Sequence, residues 1–458
     1  MKDKPDKHPA SYRDPAGFVF LKDGRVYRQV NTSYLDHYKH LMSSGLYDQL
    51  TKKGWLIKHE EVAHFSSGKP DAPIILLPEQ IPLISYPYEW CFTQLKDAAL
   101  LTLNIMRASM DKGMILKDAT PLNIQFIGAR PVFIDTLSFE RYDPHQPWIA
   151  YRAFCENFLA PLLLNAYLGM ESGKLFLSHP DGVPVQDCAN WLRFKSRFHS
   201  LALLHIHLQK AVTHGGNDPN KNAFSKSKLL RIIEHLAGGI EKLKIPERRT
   251  TWNEYYDPAI TSAEYLREKE EALKDFLSGI DYRSALDMGC NNGHFTKRLV
   301  RESVRVAGTD LDAAAINDFY LSQKNRNDHT ALALVCDWLN PGADGGWENA
   351  ERTNLISRVQ SDLVMALALL HHLVLAKNVP FPLITSLLNR LCNKWLVVEF
   401  VTKDDDRAKE MLERKGDIFP NYHPDAFEEA LSEFFQLKKK RDLKGGSRIL
   451  YLFEKKLG

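Results

Sequence analysis

The residues best placed for chemistry in this 458-residue chain are those of Asp287-Met288-Gly289-Cys290-Asn291-Asn292-Gly293. They close an apolar run, Ala285 to Met288, and lead into His294 to Glu302, a helix candidate that ends in basic residues. Glycines let backbone approach a ligand closely, and the order strand, loop, helix holds a nucleotide-like ligand over the carboxyl ends of parallel strands. Because Asn291 follows Gly289-Cys290, the loop departs from the dinucleotide fingerprint Gly-x-Gly-x-x-Gly. Two acidic residues end the next apolar runs: Asp310, 23 positions beyond Asp287, and Asp337 in Val335-Cys336-Asp337-Trp338. A carboxylate at a strand end can accept hydrogen bonds from ribose hydroxyls. Taken one at a time, such a loop is also an ordinary turn, and such an Asp also a helix cap.

A second constellation lies in the first half. Leu116-Lys117-Asp118-Ala119-Thr120-Pro121-Leu122-Asn123 precedes Pro131-Val132-Phe133-Ile134-Asp135. The pattern Asp-x4-Asn followed by a further Asp resembles the catalytic loop and metal-binding Asp of kinase-like and aminoglycoside-phosphotransferase-like folds. In those enzymes the first Asp orients the acceptor hydroxyl, and the Asn and later Asp hold magnesium on the phosphates. By that resemblance Asp118, Asn123 and Asp135 fill the three places, and Arg28 stands where the phosphate-binding lysine belongs, with Glu60 or Glu61 as partner. No Gly-rich phosphate loop accompanies them, and Leu-Lys-Asp replaces the usual His-Arg-Asp lead-in. Asp118 and Asn123 equally suit a capped turn around Pro121.

Other polar candidates say less. His371 and His372 follow the run Asp362 to Leu369 and suit loop packing, a metal or a general base, and Glu399 lies near the end of the run Trp395 to Val401 on the same expected rim. His199, His205 and His207 sit on an apolar helix without carboxylates to complete a metal set, so core or surface histidines are expected and no metal site. Lys438 to Arg441 and Asp404 to Asp406 read as solvated charge runs.

The elements that must position these groups divide the chain. A hairpin is expected around Asp23-Gly24, helix over Tyr34 to Lys58, short strands at Pro73 to Pro78 and Ile81 to Tyr88, and a buried helix from Phe92 to Met110. The polar stretch Val212 to Lys228 reads as a connector, followed by helices at Leu229 to Lys244 and Thr261 to Gly279. From Arg283 onward five apolar runs alternate with helical stretches, the signature of a parallel sheet covered by helices, and a terminal hairpin over Phe434 to Glu454 adds an antiparallel edge. The expected organisation is an N-terminal domain over 1–211, a linker and connecting helix over 212–250, and a C-terminal domain over 251–458.

Composition sets the outer limits. The chain is 44% apolar and 26% charged, enough for sizeable cores. Sixty basic and 57 acidic residues leave a formal charge of +3, short of the excess that marks a dedicated nucleic-acid binder. Six scattered cysteines form no CxxC pair, and neither a signal sequence nor an apolar run long enough for a bilayer is present, so a cytoplasmic protein is expected.

Read together, Leu-Asp-Met-Gly-Cys-Asn-Asn-Gly resembles motif I of class I S-adenosylmethionine-dependent methyltransferases. The resemblance implies a C-terminal α/β domain with a seven-stranded Rossmann-like sheet, mostly parallel with an antiparallel terminal strand, preceded by an α+β kinase-like domain. It implies S-adenosylmethionine held by Asp287, Gly289, Cys290, Asn291 and Gly293, by Asp310 at the ribose, by Asp337 near the adenine amino edge and by Asp362 in the motif IV segment. His371, His372 and Glu399 would line the methyl-transfer pocket. Across most of its length, through Tyr86 to Trp90, Leu116 to Pro121, Glu399 to Val401 and Asp417 to Pro420, the chain resembles a bacterial family of nodulation-protein-like methyltransferases. The expected function is methyl transfer to a small-molecule or glycan-like acceptor. The alternatives are a bifunctional kinase-methyltransferase and a non-catalytic interaction protein built on two degenerate folds.

Overall fold

The structure, a computed structural model, describes residues 6–62, 74–192, 194–209, 225–245 and 262–456. The chain separates into two compact units: Met1–Glu247 with Ala343–Thr353, and Arg248–Gly342 with Asn354–Gly458. The short segment Ala343–Thr353 belongs to the first unit although its sequence interrupts the second. The expected linker is outside the described residues as far as 224, and its last residues open the helix Lys226–Lys242. Among the described residues no helix is long and apolar enough to cross a membrane.

The first unit opens on an antiparallel sheet of β1 (Asp6–Lys7), β2 (Gly17–Lys22), β3 (Arg25–Val30), β4 (His59–Glu61) and β5 (Ile74–Pro78), in the order β1-β2-β3-β5-β4. The β2–β3 hairpin turns at Asp23 and Gly24, both with positive φ, the geometry that matches the twist of two-residue hairpins. One face packs Val30 and Leu76 onto Tyr34 and Tyr38 of the following helical segment, and the other gathers Phe18, Phe20 and Ile75. The helical stretch after the hairpin is two helices, Leu35–Ser43 and Leu46–Lys52, separated at Gly45.

Ile81 to Tyr88 is not a strand. Pro82 and Pro87 remove backbone donors there, and side chains satisfy the remainder: Ser85 exchanges two hydrogen bonds with the Gln125 amide, at 2.8 and 3.0 Å, and the Tyr86 N–H donates to Glu89 at 2.9 Å. The helix Phe92–Asp111 follows, its start closed by Gln94 accepting from the Cys91 N–H at 2.9 Å. Beyond it β6 (Met114–Leu116) pairs with β9 (Phe139–Arg141), and β7 (Ile124–Ile127) with β8 (Arg130–Phe133). These two small ladders carry the loops that hold Asp118, Asn123 and Asp135.

The second unit is α/β. Its sheet contains β10 (Ser284–Met288), β11 (Arg305–Asp310), β12 (Ala331–Val335), β13 (Ser361–Ala366), β14 (Cys392–Val401), β15 (Phe435–Leu443) and β16 (Arg448–Lys455). The order is β12-β11-β10-β13-β14-β16-β15. The five strands β10 to β14 pair in parallel, and β16 inserts antiparallel between β14 and β15. The order reverses at β10, so its carboxyl end and that of β13 flank a crevice where a ligand fits.

Two local expectations change. The helix expected over His294 to Glu302 is a single 3₁₀ turn, Thr296–Leu299. The basic run Lys438 to Arg441 is no loop but the middle of β15, the sheet's edge. Lys438, Lys439 and Lys440 pair with Glu454, Asp275 and Glu428 at 2.8, 3.1 and 2.7 Å. Lysines along an exposed edge guard it against pairing with another chain.

Candidate functional site

At the carboxyl ends of β10, β11, β12 and β13 lies a cavity of about 230 Å³. Asp287, Gly289, Cys290, Asn291, Asp310 and Asp337 all line it. The loop is shaped by its neighbours. The N–H groups of Gly289 and Cys290 donate to the Thr309 carbonyl at 2.8 and 2.9 Å, folding the loop back over β11. Gly289 and Gly293 hold φ of 73° and 77°, which L side chains rarely adopt, and a Cβ on Gly293 would run into the Phe319 ring. Gly293 therefore shapes the loop from behind and does not itself line the cavity.

Asp310 ends β11 with both oxygens engaged from the backbone. Oδ2 accepts from the Asn291 N–H at 2.8 Å and Oδ1 from the Asp312 N–H at 2.9 Å. Burial raises its pKa from the usual carboxylate value, while these N–H donors oppose the rise. Asp337 accepts from the Leu339 N–H at 3.0 Å, and beside it Trp338 donates its indole N–H to Thr309 at 3.2 Å. Leu311, Trp338 and Leu339 give this end of the cavity apolar surface next to two carboxylates. That is a set of contacts a nucleoside can use, with acceptors for ribose hydroxyls and flat apolar contact for a base.

Asp287 lies deeper, 2% exposed, accepting from the Thr296 hydroxyl at 2.6 Å. Burial pushes its carboxyl up to about 7; Thr296 and Lys269 pull the other way. Across the cavity are Leu367, Ala368, Leu369, His372 and Leu373. The His372 ring lies 4.0 Å, centroid to centroid, from that of His371. Burial, with Arg448 and Arg407 nearby, pushes His372 down to about 4.

Besides Gly293, three expected site residues lie outside the cavity lining. Asp362 is the second residue of β13, at the amino end of the strand and so on the far side of the sheet, where its carboxyl accepts from the Arg283 N–H at 2.8 Å. It lies five positions before Leu367, on the order of 16 Å of extended chain. His371 is 1% exposed and packs behind His372, outside the cavity lining. Glu399 does not reach the rim either: fully buried, it accepts from Lys269 at 2.6 Å and from the Tyr265 hydroxyl, with Arg448 at 3.6 Å.

Lys269 escaped sequence reasoning. It belongs to the helix Ala263–Ser278, lines the cavity beside Asp287, and holds its ammonium 4.7 Å from the Phe295 ring centroid. The signal was present: Tyr265, Lys269, Ala272, Leu273 and Phe276 form the buried stripe of that helix, and a lysine on such a stripe needs a buried partner. Asp405, read as part of a solvated run, is 1% exposed and caps the helix Asp406–Lys415 while accepting from Arg448 at 2.9 and 3.2 Å.

In the first unit Asp118, Asn123 and Asp135 do come together. Asn123 donates to Asp118 at 2.9 Å and to the Ser138 hydroxyl at 3.4 Å, and Ser138 donates to Asp135 at 2.5 Å. Arg28 forms an ion pair with Asp135 and not with Glu60 or Glu61; Glu61 instead accepts from Tyr38 at 2.7 Å. His205 is a core histidine, bonded to Tyr151 at 2.7 Å and to His235 at 2.8 Å.

No family model matches the chain. Over 470 aligned residues it is 30% identical to nodulation protein NoeA of Rhizobium meliloti (strain 1021), covering 99% of this chain and 97% of that protein. Among solved structures it is similar to the N-methyltransferase NodS of Bradyrhizobium japonicum WM9, with 16% identity over 43% of this chain and 99% of that one and a TM-score of 0.30. It is also similar to magnesium protoporphyrin IX methyltransferase of Synechocystis PCC 6803 with bound SAH, with 13% identity over 46% and 90% of the two chains and a TM-score of 0.32.

Proposed function

The chain belongs to the family of nodulation protein NoeA, and from that premise we propose that it is an S-adenosylmethionine-dependent methyltransferase whose second unit binds the donor and whose acceptor is a small molecule or glycan-like compound. The observation that carries the reading is Asp310: a carboxylate at the end of β11, oriented by two backbone N–H groups, at the lip of a cavity that Asp337 and Trp338 extend. The strand order, with its reversed last strand, suits the same reading. In it the Gly289–Asn291 backbone cradles the donor, Asp310 accepts from the ribose hydroxyls, and Leu311 with Trp338 contacts the base.

S-adenosylmethionine supplies an already activated methyl group on a sulfonium. The chain's residues must align a nucleophile with it and exclude water. Like Lys377, His372 is a polar side chain on the wall opposite the loop. With its pKa held near 4 it is neutral at physiological pH, and a base that weak is suited to accept a hydrogen bond and orient a hydroxyl or amine, not to retain its proton. The first unit is read as a kinase-like fold that contributes binding rather than phosphotransfer.

Calorimetric titration with S-adenosylmethionine and S-adenosylhomocysteine tests the donor site. Both are expected to bind one to one, and Asp310→Ala to weaken each by roughly 10- to 100-fold, as loss of a charge-assisted hydrogen bond requires. Absence of binding, or unchanged affinity in Asp310→Ala, overturns the reading.

A further inference from the structure

The acidic pair of the first unit, Asp118 and Asp135, resembles a phosphotransfer site, and that resemblance implies magnesium. The geometry does not fit the metal. Magnesium asks for oxygen ligands in near-ideal octahedral array, yet each oxygen of Asp135 already accepts from a donor of the protein, and Oδ1 from two. Oδ1 accepts from the Arg28 guanidinium and from the Leu137 N–H at 3.1 Å, and Oδ2 from the Ser138 hydroxyl at 2.5 Å. Asn123 presents its amide N–H, a donor, to Asp118 at 2.9 Å and to Ser138 at 3.4 Å. A metal ion on Oδ1 would have to displace a guanidinium that is itself only 19% exposed, and one on Oδ2 would sit beside that guanidinium and meet like charge.

We infer that Arg28 is the resident cation of this site, a side chain occupying the electrostatic place of a divalent metal, so that the first unit holds its acidic loop together without metal and does not bind a metal–nucleotide complex. The placement follows from the fold. Arg28 lies on β3, the central strand of the five-stranded sheet, in register with Val19 on one side and Leu76 on the other. The guanidinium thereby fixes the loop after β8 to that sheet. Arginine suits the task better than lysine, since it stays charged at every working pH and has further N–H donors on a planar frame. The inference concerns the first unit alone, and its failure would leave the donor site of the second untouched.

Manganese serves as the probe. The full chain is titrated with Mn²⁺ and free ion is read by electron paramagnetic resonance, in the wild type, Asp135→Asn, Arg28→Ala and the Arg28→Ala/Asp135→Asn double variant. The expected result is a wild-type isotherm that Asp135→Asn leaves unchanged, and a new Mn²⁺ site in Arg28→Ala, at least tenfold tighter than any wild-type binding, that the double variant loses. Arg28→Lys, which keeps a cation on β3, should show no new site. Wild-type Mn²⁺ binding removed by Asp135→Asn overturns the inference, and so does a folded Arg28→Ala that gains no site. Thermal shift of the wild type with ATP and magnesium gives an arm that needs no disturbed sheet: no shift is expected, and a shift abolished by Asp135→Asn overturns the proposal.

Discussion

At the scale of single residues, Asp287 pays most for its position: a carboxyl almost shut off from water, held by one hydroxyl, with its folded-state pKa raised from an ordinary 3.8 to about 7. The unfolded chain releases this proton near pH 4 and the folded chain keeps it to about pH 7. Between those values the folded state binds more protons, so stability falls as pH rises and levels off above about 7. Three pH units at about 1.4 kcal/mol each set an upper scale of roughly 4 kcal/mol. Asp287→Asn keeps an acceptor for Thr296 and removes the titration. Its melting temperature should match the wild type at pH 4 and exceed it by up to roughly 10 °C at pH 8, with the gap opening between. A gap independent of pH would sink this account. Asp287, Asp310 and Asp337 were legible in the sequence because each ends an apolar run, and strand ends meet at one edge of a parallel sheet. Asp362 was misplaced for the complementary reason: it starts such a run, and period-two patterning does not say which end of a strand faces the ligand.

At the scale of elements, the helix Ala263–Ser278, β14 and β16 are tied together by charge. Glu399 of β14 faces Lys269 and Tyr265 of the helix and Arg448 of β16, and Arg448 also engages Asp405. Lys269, Glu399 and Arg448 are each at most 5% exposed at the side chain. Breaking such a cluster costs more than the net worth of its bonds, because Lys269 then stays buried without a carboxylate while Arg448 retains Asp405. Glu399→Ala leaves two cations facing each other and should destabilise the second unit by about 3–5 kcal/mol, read as a fall of roughly 10 °C in the melting temperature of the full chain. Glu399→Gln, which retains hydrogen-bonding capacity, should cost less. A loss under about 1 kcal/mol in Glu399→Ala would show that the cluster is solvated. The elements themselves were mostly legible, since strand runs and amphipathic stripes are local signals. The cluster was not, because its members lie 130 and 43 positions apart and meet only when β16 inserts beside β14.

At the scale of the molecule, the change of pattern along the chain led to an expected boundary over 212–250, but nothing in the sequence indicates that Ala343–Thr353 belongs to the first unit. Glu351 anchors that segment by accepting from the Tyr12 hydroxyl and the Arg13 guanidinium, each at 2.9 Å and more than 330 positions away. No periodicity reports a contact of that span. The cavity, by contrast, is lined wholly by residues of the second unit, and this makes a prediction about where a donor should act. Binding stabilises the state that binds, by about 2.7 kcal/mol at a ligand concentration 100 times the dissociation constant. Hydrogen exchange of the full chain with saturating S-adenosylhomocysteine should therefore slow in 287–293, 309–312, 336–339 and 367–373, and stay unchanged in β2, β3 and β5. Asp310→Ala, at the same ligand concentration, should reduce the protection at all four segments in step, since each reports the same bound state. Protection of β2 and β3 equal to that of the glycine loop would place the ligand, or its energetic reach, outside the cavity of the second unit.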